Sequence, residues 1–201
     1  MPKPYCFHEI GQSKSQWAIE PREFRRMIDA AIITTPGMLE LHFDDARLGV
    51  WKYARPYLEP FIKRKAVRAI IFPVTDWLDG KNIPQHEKYS EFMDWEQLDD
   101  CLLSGFELGS HGVSHKSLIS GTTSGVLKEL LCSKKLIEQE LGVIVDKFSY
   151  PYGHYNLEIM KQVREHYSYA YCLNEIILAP GFSCWEIPRQ LVVQMHEAKQ
   201  P

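Results

Sequence analysis

Residues 37-GMLELHFDD-45 decide the fold, because they join a strand pattern to a pair of acidic residues. Apolar side chains occupy every second position from Leu39 to Phe43, which is the period of a half-buried β-strand. Asp44 and Asp45 follow directly at the carboxyl end of this strand. Polar residues at such ends are typical of (β/α) barrel active sites, since all the carboxyl ends of the strands open onto one face.

Apolar runs of strand length alternate with helix-period segments along the rest of the chain. This rhythm favours parallel strands joined by crossover helices. We therefore expect an α/β fold, an irregular (β/α) barrel of about seven parallel strands, built as a single domain over residues 1–201. The strands are expected within 3–10, 37–43, 66–74, 106–110, 145–153, 168–173 and 185–193, and the helices within 20–32, 51–64, 94–105, 125–142 and 155–167.

Several helix boundaries carry chemical signals. Pro21 suits a first helical turn, and Asp94 has the side chain of an N-cap residue. Gly142 is expected to end its helix, because glycine readily adopts the left-handed conformation found there. Pro56 and Pro60 are expected to break or kink their segment, since proline cannot donate a hydrogen bond to the helix ladder.

The composition excludes several functional classes. Charged residues make up 24% of the chain, the formal net charge is -3, and no long run of one sign suggests binding to nucleic acid. The first twenty residues hold no continuous apolar run, so we expect no signal peptide, no membrane span and a cytoplasmic location. Five scattered cysteines indicate reduced thiols rather than a disulfide framework. Those expected to pack as small hydrophobic residues are Cys101, Cys132, Cys172 and Cys184.

Two further strand ends carry residues that suit catalysis: His111 with His115, and the segment 150-YPYG-153. Two histidines four residues apart can point the same way from one helical turn, and with one carboxylate they supply the three protein ligands of a catalytic zinc site. Asp44 and Asp45 point in different directions on extended backbone, so one can bind metal while the other acts as a base. We expect one divalent metal ion, zinc, as cofactor.

In their order and spacing, 43-FDD-45, 109-GSHGVSH-115 and 150-YPYG-153 resemble the polysaccharide deacetylases, also called the NodB-homology or carbohydrate esterase 4 group. The resemblance extends over nearly the whole chain, and it implies the barrel fold expected above. Further segments that look like this family are 5-YCFHEI-10, 70-IIFPVTDW-77 and 187-IPRQ-190.

Carried over to these positions, the resemblance implies that Asp44 is the general base and that Asp45, His111 and His115 are the metal ligands. It also implies that the backbone N–H of Tyr152 stabilises the tetrahedral oxyanion. Removing one such donor typically raises a barrier by about 2.7–4 kcal/mol. Nearby aromatic side chains could stack on a sugar face or simply pack in the wall, and they are Tyr152, Trp77, Tyr155 and Trp185.

The chain departs from the family pattern at two places. The family has Thr-Phe-Asp-Asp-Gly where this chain has 42-HFDDAR-47, and the loss of the glycine alters the turn. Arg47 is expected at the surface, with a contact to an anionic part of the substrate as the alternative. Many members also carry an arginine before the Pro-Tyr motif, where this chain has 148-FSY-150. We therefore expect Arg189, on the last strand, to orient Asp44 instead.

The general acid of the family is commonly a histidine in a Leu-x-His motif near the C-terminus. His196, within 193-VQMHE-197, is the late candidate in this chain. His8 and His42 are alternatives, and a water molecule acting without a side-chain acid is another.

The resemblance implies a metal-dependent carbohydrate N-deacetylase, an amide hydrolase that removes an acetyl or formyl group from an amino sugar. The expected partner is an amino-sugar-containing glycan, a lipid-linked glycan or a sugar nucleotide. Two other functions stay open. One is a carbohydrate-binding barrel that has lost turnover, and the other is a hydrolase acting on a different non-peptide C–N bond.

Overall fold

The computed structural model describes residues 3–12, 15, 17–88, 90–173 and 184–193. Within them the strands are β1 (Tyr5–Phe7), β2 (Glu9–Ile10), β3 (Ala18–Ile19), β4 (Leu39–Asp44), β5 (Val67–Phe72), β6 (Glu107–Leu108), β7 (Lys147–Ser149), β8 (Tyr169–Cys172), β9 (Ile187–Pro188) and β10 (Gln190–Leu191). The α-helices are α1 (Pro21–Thr34), α2 (Arg55–Lys63), α3 (Thr75–Leu78), α4 (Trp95–Leu103), α5 (Thr123–Leu141) and α6 (Leu157–Arg164).

These strands form three parallel sheets. The largest has the order β10-β1-β4-β5-β6, the second has the order β7-β8-β9, and β2 pairs with β3. In the largest sheet, β4 and β5 pair along six residues each, from Leu39 with Val67 to Asp44 with Phe72. From β3 to β8, an α-helix lies between each strand and the next, as expected for parallel strands.

Two joins bring the larger sheets together into a barrel. Beyond β6, Ser110 forms a parallel bridge with Phe148 of β7. On the other side, the segment 187–191 pairs with β8 through β9 and with β1 through β10. The α/β fold is thus the expected irregular (β/α) barrel of about seven parallel strands, if β9 and β10 are counted as one interrupted strand. Because the strands change sheet at these joins, the barrel is not one continuous ladder.

Local signals account for most helix boundaries. Pro21 occupies the first turn of α1, and Asp94 accepts a hydrogen bond from the Gln97 N–H to form a capping box for α4. Gly142 ends α5 with φ +65°. These three predictions are confirmed.

The segment with two prolines behaves differently from its prediction. The chain first makes a turn of π-helix over Val50–Ala54 and then continues as α2 to Lys63. Pro56 lies in the first turn of α2, directly after the π-helical turn, and Pro60 lies inside the helix. Neither proline ends the helix, so of the expected break or kink the break is wrong. The π-helical turn just before Pro56 is an irregularity of the kind found at helix kinks.

Side chains fill the interior of the barrel. Ile70, Phe72 and Tyr171 pack together there, with Ile187 against them. The buried ring of His42 lies 5.1 Å from the ring of Phe72 and 4.4 Å from that of Tyr171, measured between centroids. The space for a ligand therefore lies at the ends of the strands and not along the axis of the barrel.

The four cysteines that were expected to pack as small hydrophobic residues differ in burial. Cys101 and Cys172 are buried, as predicted, but Cys132 and Cys184 are exposed, so the prediction is wrong for these two. α5 buries the face that carries Val126, Leu130, Ser133 and Ile137, and this spacing turns Cys132 towards solvent.

Among the described residues, no helix is long and apolar enough to span a membrane.

Candidate active site

Two aspartates and two histidines meet at the carboxyl ends of the barrel strands. Asp44 ends β4 and Asp45 follows it, while His111 and His115 lie on the loop after β6. The Nε2 atoms of His111 and His115 lie 3.8 Å and 3.6 Å from Oδ1 of Asp45. Nε2 of His111 is also 3.7 Å from Oδ2 of Asp44. The structure therefore brings together the four residues that the sequence singled out.

The donor atoms of Asp45, His111 and His115 suit a divalent metal ion. They all lie within 4.8 Å of one another, and Oδ1 of Asp45 is buried with no hydrogen-bond partner in the described chain. In a tetrahedral zinc site with ligands at about 2.0–2.1 Å, neighbouring donor atoms are about 3.3 Å apart, close to the Asp45–histidine distances. The set of residues fits the metal.

The protonation of both histidines agrees with metal binding. Nδ1 of His111 lies 2.8 Å from the carbonyl oxygen of Ser149, which can only accept, so Nδ1 carries the hydrogen and Nε2 has a free lone pair. Burial, together with the neighbouring His111, lowers the pKa of His115 to about 4. His115 is therefore neutral near pH 7, as a metal ligand must be.

The two histidines reach the site from a loop, so the expected helical turn is wrong. The backbone from His111 to His115 has neither helical nor strand structure, and Gly112 and His115 adopt φ of +85° and +55°. The two imidazole centroids are nevertheless 4.8 Å apart. The convergence of the ligands thus comes from a left-handed loop conformation and not from the period of a helix.

Arg47 is buried, and the prediction of a surface position is wrong. Its side chain is 3% exposed, and partners on several sides compensate its buried charge. Nε and one terminal nitrogen donate to Oδ2 of Asp45 at 3.2 Å and 3.1 Å. The guanidinium also donates to Glu87 at 2.8 Å and 3.0 Å and to Ser90 at 2.9 Å. Arg47 thereby holds one oxygen of Asp45 and leaves Oδ1 facing the histidines.

Asp44 is held by a second arginine. The terminal nitrogens of Arg189 donate to its two oxygens, both at 2.8 Å. Ser149 Oγ donates to Oδ2 at 3.1 Å and accepts from Arg189 at 2.8 Å. Burial alone would raise the pKa of Asp44, but the charge of Arg189 and its hydrogen bonds to the carboxylate outweigh this effect and hold that pKa well below its usual range. The carboxylate is therefore ionised, and the contact expected between Arg189 and Asp44 is present.

The candidate general acids lie in very different places. His8 lines the cavity beside both aspartates, and its Nδ1 is buried without a hydrogen-bond partner in the described chain. His42 points into the barrel interior, where Nε2 lies 2.8 Å from a carboxylate oxygen of Glu40, and it does not line the cavity. His196 lies outside the described residues. Of the two described candidates, His8 is the one that faces the site.

The cavity over the aspartates has a volume of about 290 Å³. Trp77 and Tyr152 line it, and their rings lie 5.0 Å and 4.5 Å from that of His115. Tyr155 instead stacks on Tyr150, with a centroid distance of 4.8 Å, and Trp185 donates from Nε1 to the carbonyl oxygen of Tyr167. Of the four aromatic residues considered for sugar contact, Trp77 and Tyr152 face the cavity, whereas Tyr155 and Trp185 do not line it.

Several residues at the site were missed in the sequence. Glu87 lies 40 positions from its partner Arg47, in a polar stretch without a periodic pattern. Cys6, whose Sγ is 3.6 Å from Oδ2 of Asp44, looks in the sequence like an ordinary apolar strand residue. Ser149 lies just before 150-YPYG-153, where many family members carry an arginine. The absence of that arginine was the one sequence signal that pointed to this position.

A family model for polysaccharide deacetylases matches residues 31–171. This range includes the two aspartates, the two histidines and Tyr152, but neither His8 nor Arg189. The chain is also 27% identical over 143 residues to YxkH of Bacillus subtilis (strain 168), whose name places it provisionally among the polysaccharide deacetylases. That match covers 71% of this chain and 47% of YxkH, so the chain spans about half the length of that relative.

Solved structures with the same fold belong to deacetylases. BC0361, a polysaccharide deacetylase from Bacillus cereus, has a TM-score of 0.79 and 17% identity, and the alignment covers 96% of this chain and 65% of that one. The Streptococcus pyogenes deacetylase PplD, solved in complex with acetate, has a TM-score of 0.78 and 16% identity, with 95% and 92% of the two chains covered. At such identities these likenesses establish the fold alone.

Proposed function

Because the chain belongs to the polysaccharide deacetylase family, we propose that it is a metal-dependent hydrolase that removes an acetyl or formyl group from the nitrogen of an amino sugar. The amino sugar would be part of a glycan or of a glycan precursor. One observation carries the proposal: the free Oδ1 of Asp45 faces two imidazoles directly beside the ionised carboxylate of Asp44.

Asp45, His111 and His115 would hold a divalent metal ion, with zinc as the proposed metal. When bound, such an ion polarises an acyl carbonyl and lowers the pKa of water. Arg47 supports monodentate binding by Asp45, because it occupies Oδ2 and leaves Oδ1 free.

Asp44 would act as the general base and take a proton from the attacking water. Its place 3.7 Å from Nε2 of His111 puts it beside the proposed ligands. Arg189 orients it, and the ion pair keeps the carboxylate ionised and able to accept a proton. This pair supplies what the arginine missing before the Pro-Tyr motif supplies in many members, and it favours turnover over a barrel that only binds carbohydrate.

The backbone N–H of Tyr152 would donate to the oxyanion that forms when the acyl carbonyl is attacked. Tyr152 adopts φ +59° between Pro151 and Gly153, and its ring is about half exposed at the cavity. The backbone of this short turn is fixed by hydrogen bonds from Gly153 to Tyr150 and from His154 to Pro151. A donor fixed in advance stabilises developing charge without having to reorient during the reaction.

His8 would protonate the leaving amine of the sugar. It lies on the cavity wall next to Trp17, at a ring-centroid distance of 5.1 Å. Burial lowers the pKa of its imidazole, so His8 would be neutral near pH 7. It would therefore pass on to the amine the proton that Asp44 takes from the attacking water, and donor atoms of His8 and Asp44 lie within 4.8 Å of each other. His196 lies outside the described residues and stays the alternative for this role.

The sugar itself would lie across Trp77 and Tyr152, whose rings border the cavity. The deacetylase family supports a carbohydrate substrate. The choice among a polymeric glycan, a lipid-linked glycan and a sugar nucleotide stays a prediction. So does the cytoplasmic location.

The proposal can be tested with the metal-free protein, reconstituted with Zn²⁺ or Co²⁺ and incubated with oligomers of N-acetylglucosamine. We expect the release of acetate and of free amines with the wild type, and little of either with Asp44→Asn. If both proteins bind the sugar but neither releases acetate, a carbohydrate-binding role becomes the better account. Release of acid from a small cyclic or linear amide, without action on any sugar, would instead indicate another C–N hydrolase.

A further inference from the structure

The loop that carries both histidine ligands is anchored by a carboxylate from a distant helix. Glu129 lies in the first half of α5 and points at this loop. Its Oε2 accepts hydrogen bonds from the backbone N–H of Val113 at 2.7 Å and of Ser114 at 2.9 Å. Its Oε1 accepts one from Oγ of Ser114 at 2.5 Å. Three charge-assisted hydrogen bonds therefore converge on the two residues just before His115.

The fit between the loop and this carboxylate is close. Gly112 has φ +85°, and a Cβ atom added there would lie 2.9 Å from Oε2 of Glu129. The backbone at Gly112 is further held by its N–H, which donates to Oγ of Ser110 at 3.3 Å. His115 adopts φ +55°, a conformation that a non-glycine residue rarely takes unless its surroundings impose it. The loop conformation is thus specified by contacts and not by local preference.

The anchor acts on the geometry of the two ligands relative to each other. His111 is fixed from the other side, by the hydrogen bond between its Nδ1 and the carbonyl oxygen of Ser149. His115 has a ring that packs between those of Trp77 and Tyr152, but its position along the loop depends on the turn at 112–114. The carbonyl oxygens of Gly112 and Val113 also accept hydrogen bonds from the N–H groups of Thr75 and Asp76, at 3.2 Å and 2.9 Å. Removing the Glu129 carboxylate would leave His111 in place and take away the three hydrogen bonds nearest to His115.

We propose that Glu129 is a positioning residue, which sets the distance between the imidazoles of His111 and His115 and thereby the affinity of the site for its metal ion. The inference rests on the proposed function only in that it takes these two histidines as metal ligands. Groups outside the ligand set that orient the ligands typically change metal affinity or activity by about 10–100-fold when they are removed.

The test compares Zn²⁺ binding by the wild type, Glu129→Ala, Glu129→Gln and a control, Glu140→Gln. Glu140 is an exposed residue of the same helix, so its variant controls for the loss of one charge. Binding is measured by competition with a chromophoric chelator. We expect Glu129→Ala to weaken Zn²⁺ binding by about 10–100-fold. Glu129→Gln should lie in between, because an amide keeps one acceptor oxygen, and Glu140→Gln should bind as the wild type does.

A second measurement separates positioning from general stability. The absorption spectrum of the Co²⁺-substituted protein reports on coordination, and we expect it to change in Glu129→Ala and, to a smaller degree, in Ser114→Ala. A role in stability alone would lower the melting temperature of the metal-free protein while leaving the Zn²⁺ affinity and the Co²⁺ spectrum unchanged, and that result would overturn the inference. If Glu129→Ala does not fold, Glu129→Gln and Ser114→Ala decide the question by the same measurements.

The outcomes also distinguish this inference from the proposed function. If the wild type binds Zn²⁺ but hydrolyses no N-acyl sugar, the proposed function fails, and the effect of Glu129 on metal binding can still be observed. If the wild type hydrolyses the sugar and Glu129→Ala binds Zn²⁺ equally well, the inference alone fails. Absence of Zn²⁺ and Co²⁺ binding by the wild type overturns both.

Discussion

The two ends of the same barrel strands carry charged residues in very different settings. At the amino ends of β4 to β7, Arg68 pairs with Glu107 at 2.7 Å and with Glu40 at 3.3 Å, and Lys147 pairs with Glu107 at 3.2 Å. The side chains of Arg68, Glu40 and Glu107 are 30%, 25% and 40% exposed, whereas that of Lys147 is 10% exposed. Partly exposed pairs such as those of Arg68 contribute about 0–1 kcal/mol to stability, since water screens them and their long side chains must be ordered.

At the carboxyl ends the charges are buried. The side chains of Asp44 and Asp45 are 2% and 3% exposed, and those of their partners Arg189 and Arg47 are 0% and 3% exposed. A charge taken out of water to this extent is tolerated only when a partner of opposite sign and further hydrogen bonds compensate for the lost solvation. The comparison teaches that desolvation of charged groups costs more free energy at the carboxyl ends of the strands than at their amino ends. The charges at the carboxyl ends compensate one another inside the protein, whereas most of those at the other end are partly hydrated.

The largest effect is expected from Asp44→Asn, which keeps the shape of the side chain but removes the base. Since general base catalysis contributes about 10²–10⁴-fold, we expect kcat for deacetylation to fall by roughly 10³–10⁴-fold. Zn²⁺ binding should change little, because Asp45 and not Asp44 is the proposed ligand. Steady-state kinetics and chelator competition measure the two quantities, and a variant that keeps a tenth of the wild-type kcat would contradict the role of Asp44.

Arg189→Met is expected to have the next largest effect, because it leaves the carboxylate of Asp44 buried and unpaired. Breaking a buried pair from one side typically costs about 3–5 kcal/mol of stability. The matched control is Arg68→Met at the other end of the barrel, which should cost about 1 kcal/mol or less. Urea unfolding measures both. Equal losses in the two variants would show that the two ends do not differ in the way described.

His8→Gln is expected to lower kcat by about 10²-fold, at the lower end of the range for proton transfer catalysis. The leaving amine would then depart without a side-chain donor. His196→Gln is the comparison variant, and it should leave kcat nearly unchanged if His8 is the acid. The opposite ranking of the two variants would return the role to His196.

Glu107→Gln is expected to have the smallest effect. It weakens the pairs with Arg68 and Lys147 at a half-exposed position, so the free energy of unfolding should fall by about 1 kcal/mol or less. Neither kcat nor the affinity for Zn²⁺ should change, because the residue lies at the end of the barrel away from the cavity. A clear loss of activity would indicate that the two ends are coupled.

The fold could be predicted from the sequence because its signals are local. The alternation of apolar residues before Asp44, the capping residue Asp94 and the glycine at 142 each act within one or two turns of chain. The contact between Arg189 and Asp44 was predicted from the family pattern, because the arginine that many members carry before the Pro-Tyr motif is missing here and Arg189 was the expected replacement. The catalytic roles of both residues stay predictions.

The failed predictions concern residues whose setting depends on distant partners. Arg47 is charged and looks like a surface residue in the sequence, but it is buried and donates hydrogen bonds to Glu87 and Ser90, which lie 40 and 43 positions away. The spacing of His111 and His115 equals one turn of helix, yet both lie on a loop with left-handed residues, whose N–H groups at 113 and 114 donate to the distant Glu129. Pairings at such separations leave no periodic trace in the sequence.

The interrupted strand at 187–191 has two separate roles in the barrel. This short segment pairs with both β8 and β1, and it also carries Arg189, which lies 145 positions after Asp44 and is paired with it. The proposed metal ligands all come from residues 45–115, so none of them belongs to this segment. A chain without residues 187–191 would therefore keep all three proposed ligands but lose the cation that compensates the buried charge of Asp44.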